Sequence, residues 1–251
     1  MTAAAACLQL DVGNSSAKWR LLRGAQVIER GRLDTRDPAS REAGLGALPG
    51  PGHIWISSVA SPEAEADLGE WLRQRWGVQP WFARTEARTG ELVNSYRDPS
   101  RMGVDRWLAM LGARARHTGR LCVVDAGSAL TIDLVAADGR HEGGYIIPGP
   151  QLMERALLLD TDRVRFDEDI GYGLTPGAST AEAVRHGIAL AQAGAVALAL
   201  DAAGPDVPAL YFCGGGGEAL MGLLDRTGEW APDLVFEGLE VQAALRDEPA
   251  R

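Results

Sequence analysis

The chain has 251 residues, 46% hydrophobic and 24% charged, with a net charge of -9 at pH 7. That length allows one large domain or two small ones, and the composition is that of a globular protein. The acidic balance argues against a general binder of phosphate backbones, which needs clustered Lys and Arg, but a few local donors suffice for one small phosphate ligand.

Residues 1–6 are small and apolar without a basic flank and run straight into the first strand, so no signal peptide is expected. Residues 7–11 are a predicted buried strand, and 17–22 and 26–33 make two more around an Arg23-Gly24 turn. A polar segment from Asp34 leads to a short helix that ends at Pro49-Gly50-Pro51-Gly52. Residues 53–58 alternate as a strand does. Residues 62–76 carry Ala64, Leu68, Trp71, Leu72 and Trp76 at helical spacing, with Ser61 as N-cap and Pro62 at the first helical position. Then come a short strand at 78–82, a polar loop across a cleft at 85–101, and a helix at 102–117 with Trp107, Leu108 and Leu111 on its apolar side. Thr118-Gly119 sets the expected boundary between domains 1–118 and 119–251.

The plan then repeats. Strands are expected at 121–125, 131–136 and 141–147, followed by a break at Pro148-Gly149-Pro150, a helix to residue 159 and an irregular loop over 161–179. An Ala-rich helix follows over 180–203. Its apolar stretch, 188–200, is shorter than the ~20 residues that cross a bilayer, so it reads as a buried helix. A strand at 209–213, a four-glycine turn at 214–217, a helix at 218–224, a short strand at 234–236 and a helix at 238–246 complete the chain. Two halves built this way imply an α/β fold of two related domains.

One motif occurs twice, as LQLDVGNSSAKWRLL from Leu8 to Leu22 and CVVDAGSALTIDLV from Cys122 to Val135. Asp11 and Gly13 match Asp125 and Gly127, and a second turn follows each copy at a similar offset, Arg23-Gly24 and Asp138-Gly139. Gly13 lets the chain turn tightly beside a ligand, and the N–H groups of such a turn form an anion-binding concavity. Within Asp11, Val12, Gly13, Asn14, Ser15, Ser16, Ala17 and Lys18, the amide and hydroxyls add donors and Lys18 adds a charge that suits phosphate. Asp11 can hold Mg²⁺ directly or through water. A plain hairpin is the alternative for one copy; recurrence at matching offsets weighs against it. The expectation is two turns that face each other across a cleft and hold a nucleotide's phosphates. Neither is a Walker A loop, because each leads into a strand. The turn at 214–217 lacks G-x-G-x-x-G spacing, and reads either as a close approach to adenosine or as a bare turn.

The stretch from Tyr96 to Trp107 puts Asp105 at a helix start with Arg106 beside it. A carboxylate there can take a proton from a substrate hydroxyl, and an Arg can bind a carboxylate or a transferring phosphoryl group. The alternative is an Asp favoured by the helix dipole beside a solvated Arg. In the second copy Ser128 is placed to touch a phosphate, and Thr131 and Asp133 share a strand face. His53, His117, His141 and His186 show no ligand spacing, so no zinc site is expected. Cys7, Cys122 and Cys213 form no C-x-x-C pair and read as buried hydrophobes in a reducing, cytoplasmic setting. No G-x-S-x-G elbow is present, which weighs against a common hydrolase.

Together these motifs resemble the type III pantothenate kinases, a branch of the acetate and sugar kinase/actin-like superfamily. The segments that carry the resemblance, in order, are Asp11-Val-Gly-Asn-Ser, Tyr96 with Gly103-Val-Asp-Arg106, Asp125-Ala-Gly-Ser-Ala-Leu-Thr131, Gly143-Gly-Tyr-Ile-Ile-Pro-Gly149, Thr180 and Ala231-Pro-Asp-Leu-Val-Phe-Glu-Gly-Leu239. The resemblance implies two ribonuclease H-like/actin-like domains with a cleft between them. The implied reaction transfers phosphate from ATP to pantothenate, the first step towards coenzyme A. Mg²⁺, a monovalent cation such as K⁺ or NH₄⁺, and a homodimer are implied with it. Asp105 would accept the hydroxyl proton, Asp11 would organise the metal-bound phosphates and Asp125 would bind the monovalent ion. Tyr96, Gly103, Val104, Arg106 and Thr180 would contact pantothenate. Ser128 stands where the family commonly has Thr, which keeps the hydroxyl with a freer rotamer. No nucleic-acid or membrane partner is implied. The resemblance also extends to Bvg accessory factors, so a regulatory protein is the alternative, as is a kinase for another small hydroxylated substrate. Asp11, Asp105, Arg106 and Asp125 favour the enzyme, since a pure interaction protein has no chemical need for all four.

Overall fold

The computed structural model describes residues 5–247. The chain forms two compact units. One holds the chain up to Gly90, Tyr96–Ala115 and the chain from Leu234 onward; the other holds Glu91–Ser95 and Arg116–Asp233. The grouping differs from the expected 118/119 division chiefly in the C-terminal helix, which belongs with the first unit.

In the first unit, β1 (Ala6–Val12), β2 (Ser16–Arg23) and β3 (Gln26–Asp34) form an antiparallel meander. The helix α1 (Pro38–Leu45) precedes β4 (His53–Ser58), which pairs parallel with β1. Then come α2 (Pro62–Trp76) and β5 (Trp81–Phe82), shorter than the expected strand, for a sheet order of β3-β2-β1-β4-β5. Alternation divides the sheet's faces. Leu8, Leu10, Val12, Ala17, Trp19, Leu21, Ile54 and Ile56 form one core with Leu45, Leu68 and Leu72 of the two helices. The opposite face carries Gln9, Asp11, Lys18, Arg20 and Ser57. The two-residue strands β6 (Arg88–Thr89) and β7 (Leu92–Val93) and a 3-10 turn at Pro99–Arg101 fall within the stretch expected to be loop. The helix α3 (Val104–Arg116) follows.

In the second unit, β8 (Leu121–Ala126), β9 (Ala129–Val135) and β10 (His141–Pro148) form a second antiparallel meander. The helices α4 (Pro150–Asp160) and α5 (Thr180–Ala202) follow, then β11 (Ala209–Cys213), α6 (Gly217–Gly222) and β12 (Glu229–Trp230). The order β10-β9-β8-β11-β12 repeats that of the first sheet. The motif duplication read from the sequence is thus a duplication of topology. The expected buried helix is buried on one face only: Ile188, Gln192, Val196 and Leu200 of α5 face inward, whereas Leu190 and Leu198 are 61% and 71% exposed. By length and composition α5 would also span a membrane, but its inner face packs with β8, β9 and β11 as a core helix does.

The last helix, α7 (Leu234–Asp247), overturns the expected strand at 234–236. Three apolar residues in a row look alike in a strand and in a helix, and here Leu234, Val235, Phe236 and Leu239 are all buried in helical packing. Two glycines let α7 lie directly on α3. A Cβ at Gly238 would lie 2.5 Å from the Leu108 carbonyl carbon, and one at Gly112 would lie 3.1 Å from that of Leu234. Arg20, 5% exposed, fastens the same helix to the sheet. Its guanidinium donates to Gln9 Oε1 at 2.7 Å and Glu240 Oε1 at 2.8 Å, and lies 4.7 Å from the Phe236 ring centroid. A buried cation is tolerable only when paired in this way.

Candidate active site

Asp11 is next to last in β1. Lys18 on β2 and Ser57 on β4 are its direct partners, so the three side chains share the polar face of the sheet. Ser57 Oγ donates to Asp11 Oδ1 at 3.2 Å. Beyond Asp11 the hairpin closes with Gly13 N–H donating to Ser16 O at 3.0 Å, while Thr35 Oγ1 donates to Asn14 O at 3.2 Å. Val12 and Ala17 turn into the apolar core, 6% and 2% exposed, so they offer a ligand only backbone. Asn14 and Ser16 are exposed; Ser15 and Lys18 are half-buried.

At the start of α3, Asp105 is half-buried and accepts the Arg106 N–H at 2.8 Å. Gly103 lies under its carboxylate, where a Cβ would come within 2.5 Å of Oδ1. Arg106 is 5% exposed, so it is not the solvated Arg of the alternative reading. Its Nη1 donates to the Tyr96 hydroxyl at 3.0 Å, and its guanidinium sits 5.8 Å from that ring's centroid. Val104, 6% exposed, anchors the first turn. A cavity of about 320 Å³ lies here, lined by Ser58, Val59, Thr85, Arg101, Gly103 and Val104 among others. Sequence reasoning missed Ser57, Ser58 and Thr85. The Ser57-Ser58 pair, which breaks the strand's alternation at its C-terminal end, was the available signal.

In the second unit Asp125 is next to last in β8, paired with Thr131 on β9 and Cys213 on β11. Gly127 N–H donates to Ala129 O at 2.9 Å and closes the turn, which leaves Ser128 exposed. The four-glycine turn belongs to this site. Gly214, at φ +81°, is in the left-handed region that favours glycine, and a Cβ there would overlap the Asp125 carboxylate and lie 2.6 Å from Ala126 O. Gly216 N–H donates to that same oxygen at 2.9 Å. Thr180 is exposed at the first turn of α5, on a separate element, where its neighbour Ser179 caps the helix.

The geometry therefore brings Asp11 together with Lys18 and Ser57, Tyr96 with Arg106, Asp105 with Gly103, and Asp125 with Gly214. Among the described residues no group of three or more His, Cys, Asp or Glu forms a metal cluster. The donor set fits a hard cation that takes a carboxylate from Asp11 and its other ligands from phosphate oxygens. Beside Asp125, the Gly214 backbone occupies space that any side chain would fill, which leaves a carboxylate and a carbonyl oxygen side by side.

Two sheets of identical strand order, each with a first strand that runs out into Asp-x-Gly, define an α/β protein of the actin-like fold. Solved structures share the fold. One is a Baf family transcriptional activator from Campylobacter jejuni, 22% identical, with 93% of this chain and 95% of that chain covered at a TM-score of 0.59. Another is (R)-2-hydroxyglutaryl-CoA dehydratase component A from Acidaminococcus fermentans, 11% identical, with 96% of each chain covered at a TM-score of 0.54. A family model described as type III pantothenate kinase matches residues 7–201. Relatives named type III pantothenate kinase include those of Hahella chejuensis, 36% identical over 94% of this chain and 96% of its own, and Halorhodospira halophila, 37% identical over 92% and 95%. The chain belongs to the type III pantothenate kinase family. Its activity is ATP-dependent phosphorylation of pantothenate in coenzyme A biosynthesis, and a kinase of this kind works on ATP with a divalent metal.

Proposed function

We propose that phosphate passes from ATP to the pantothenate hydroxyl with Asp105 as general base. The start of α3 carries this reading: a half-buried carboxylate seated on Gly103, next to a buried Arg106 bonded to Tyr96. Asp105 takes the hydroxyl proton as the oxygen attacks the γ-phosphorus in line, and ADP leaves. Little else is needed of the protein in phosphoryl transfer beyond positioning and charge neutralisation. Arg106 is the partner for the pantothenate carboxylate, and Tyr96, Gly103, Val104 and Thr180 complete the acceptor's surroundings. Asp11, Val12, Gly13, Asn14, Ser15, Ser16, Ala17, Lys18 and Ser128 bind the nucleotide, by backbone donors where the side chain is buried. Bound with ATP, Mg²⁺ neutralises phosphate charge, and Asp11 is the residue to hold it. Asp125 takes a monovalent cation, K⁺ or NH₄⁺, with the adjacent carbonyl oxygen.

The working form is a cytoplasmic homodimer, without nucleic-acid or membrane partners. No residue of α4 is buried although it carries five large apolar side chains. Ile146 of β10, Leu159 of α4 and Leu190 of α5 are each more than 60% exposed. Apolar surface of that kind supports self-association.

The test of the base is Asp105→Asn. A ~10²–10⁴-fold fall in kcat is expected, with nucleotide affinity nearly unchanged. An unchanged kcat would remove Asp105 from the proton transfer.

A further inference from the structure

One buried polar cluster lies outside the machinery described so far. His141 and Asp133 are each 1% exposed, and His141 Nε2 lies 3.0 Å from Asp133 Oδ1. His141 Nδ1 lies 2.8 Å from Ser95 Oγ, and Ser95 is exposed. The bonding order follows from chemistry. A carboxylate oxygen accepts, so His141 Nε2 is the donor to Asp133, and in the tautomer with its proton there Nδ1 accepts the Ser95 hydroxyl.

The backbone is shaped for this contact. The β9–β10 register shifts between His141 and Gly143, and Gly143 takes φ +125°, which L side chains rarely adopt. A bulge of this kind bends the strand and re-aims a side chain. It turns His141 towards Asp133 on the same sheet face as Thr131 and Asp125.

The segment held in this way is Glu91–Ser95, which groups with the second unit while the chain on either side groups with the first. It is fixed at alternate residues. The Glu91 backbone lies against Gly139, where a Cβ would approach its carbonyl carbon to 2.9 Å. Val93 N–H donates to Gly139 O at 2.9 Å. Ser95 is the third point, and the next residue is Tyr96.

We propose that Asp133, His141 and Ser95 form a positioning relay for the acceptor substrate: two buried side chains hold the Ser95 hydroxyl, and through one peptide bond set where Tyr96 begins. None of the three touches the reacting atoms. The proposal rests on the reading that Tyr96 and Arg106 bind pantothenate. At its other end Tyr96 is held by Arg106, which donates to its hydroxyl at 3.0 Å. Apolar side chains in place of His141 and Asp133 would offer Ser95 no acceptor.

The experiment is steady-state kinetics on the full chain with pantothenate, ATP and Mg²⁺, comparing Ser95→Ala with Ser95→Thr. Ser95 is exposed, so removal of its hydroxyl spares the core. Loss of one hydrogen bond is expected to raise KM for pantothenate about 3- to 10-fold in Ser95→Ala, with kcat and KM for ATP unchanged. Ser95→Thr, which keeps the hydroxyl, should restore the wild-type value. The ¹⁵N spectrum of His141 should show Nε2 protonated, and its Nδ1 resonance should shift in Ser95→Ala. A wild-type pantothenate KM in Ser95→Ala, while Arg106→Met and Tyr96→Phe raise it, overturns the relay alone. If neither of those two raises it, the reading of the acceptor site fails and the relay falls with it. A proton on Nδ1 would also overturn the relay.

Discussion

Gly238→Ala separates two effects of opposite sign. Within a helix, Gly to Ala favours folding by about 1 kcal/mol. At this position, however, the new Cβ would lie 2.5 Å from the Leu108 carbonyl carbon and 2.8 Å from its Cα, inside the 3.0 Å that real Cβ atoms essentially never breach. The obstacle is backbone, so no rotamer relieves it, and α3 and α7 must part. Overpacking of this kind costs up to about 3 kcal/mol or more. The steric term wins, with a net loss of roughly 2 kcal/mol. For a chain of this size that lowers Tm by about 4–8 °C. Because the first turn of α3 carries Asp105, the proposed base, kcat should fall with it. The assay is a thermal melt followed by circular dichroism, paired with initial rates well below the transition. An unchanged or raised Tm would show that helix propensity dominates and that α7 does not press on α3.

Asp125→Ala should abolish stimulation by K⁺ while leaving a folded protein; full stimulation in that variant would put the cation elsewhere. Burial pushes the Cys7 and Cys122 thiols up from 9.0 to about 12, with the Glu240 carboxylate adding to the effect at Cys7 and that of Asp133 at Cys122. Neither should react quickly with a disulfide reagent at pH 8 until denaturant is added, since the thiolate is the nucleophile. The sign of the linkage is fixed by the raised folded value. The contribution of these thiols to stability is complete below pH 9 and is lost as pH rises from 9 towards 12. Rapid labelling of both in the native protein, or a stability flat across that window, would contradict the burial of Cys122 and the partial burial of Cys7.

What was legible in the sequence is what leaves a local or repeated trace. Residues 62–76 fix α2 because the signals sit at its ends: Ser61 Oγ accepts from Ala64 N–H at 3.3 Å, and Gly77 N–H donates to Arg73 O at 2.8 Å from φ +69°. The twofold Asp-x-Gly motif anticipates the matching sheets because each copy ends the first strand of a meander, and strand order follows from that start. Side-chain partnerships distant in the chain leave no such trace. Arg20 meets Glu240 across 220 positions, and nothing near either residue announces the other. The same holds for His141, one of four scattered histidines, whose partners come from a neighbouring strand and a distant loop. The three apolar residues at 234–236 were ambiguous on their own; the glycine at 238 reads as a helix start until α3 is seen beneath it.

The most direct test is pantothenate-dependent release of ADP by the purified chain with Mg²⁺, in K⁺ or NH₄⁺ and in Na⁺. Turnover that requires pantothenate and is strongest in K⁺ or NH₄⁺ is the expected result. No turnover in either ion, from a sample shown to be folded and dimeric, would contradict the assignment of this chain's site to pantothenate phosphorylation.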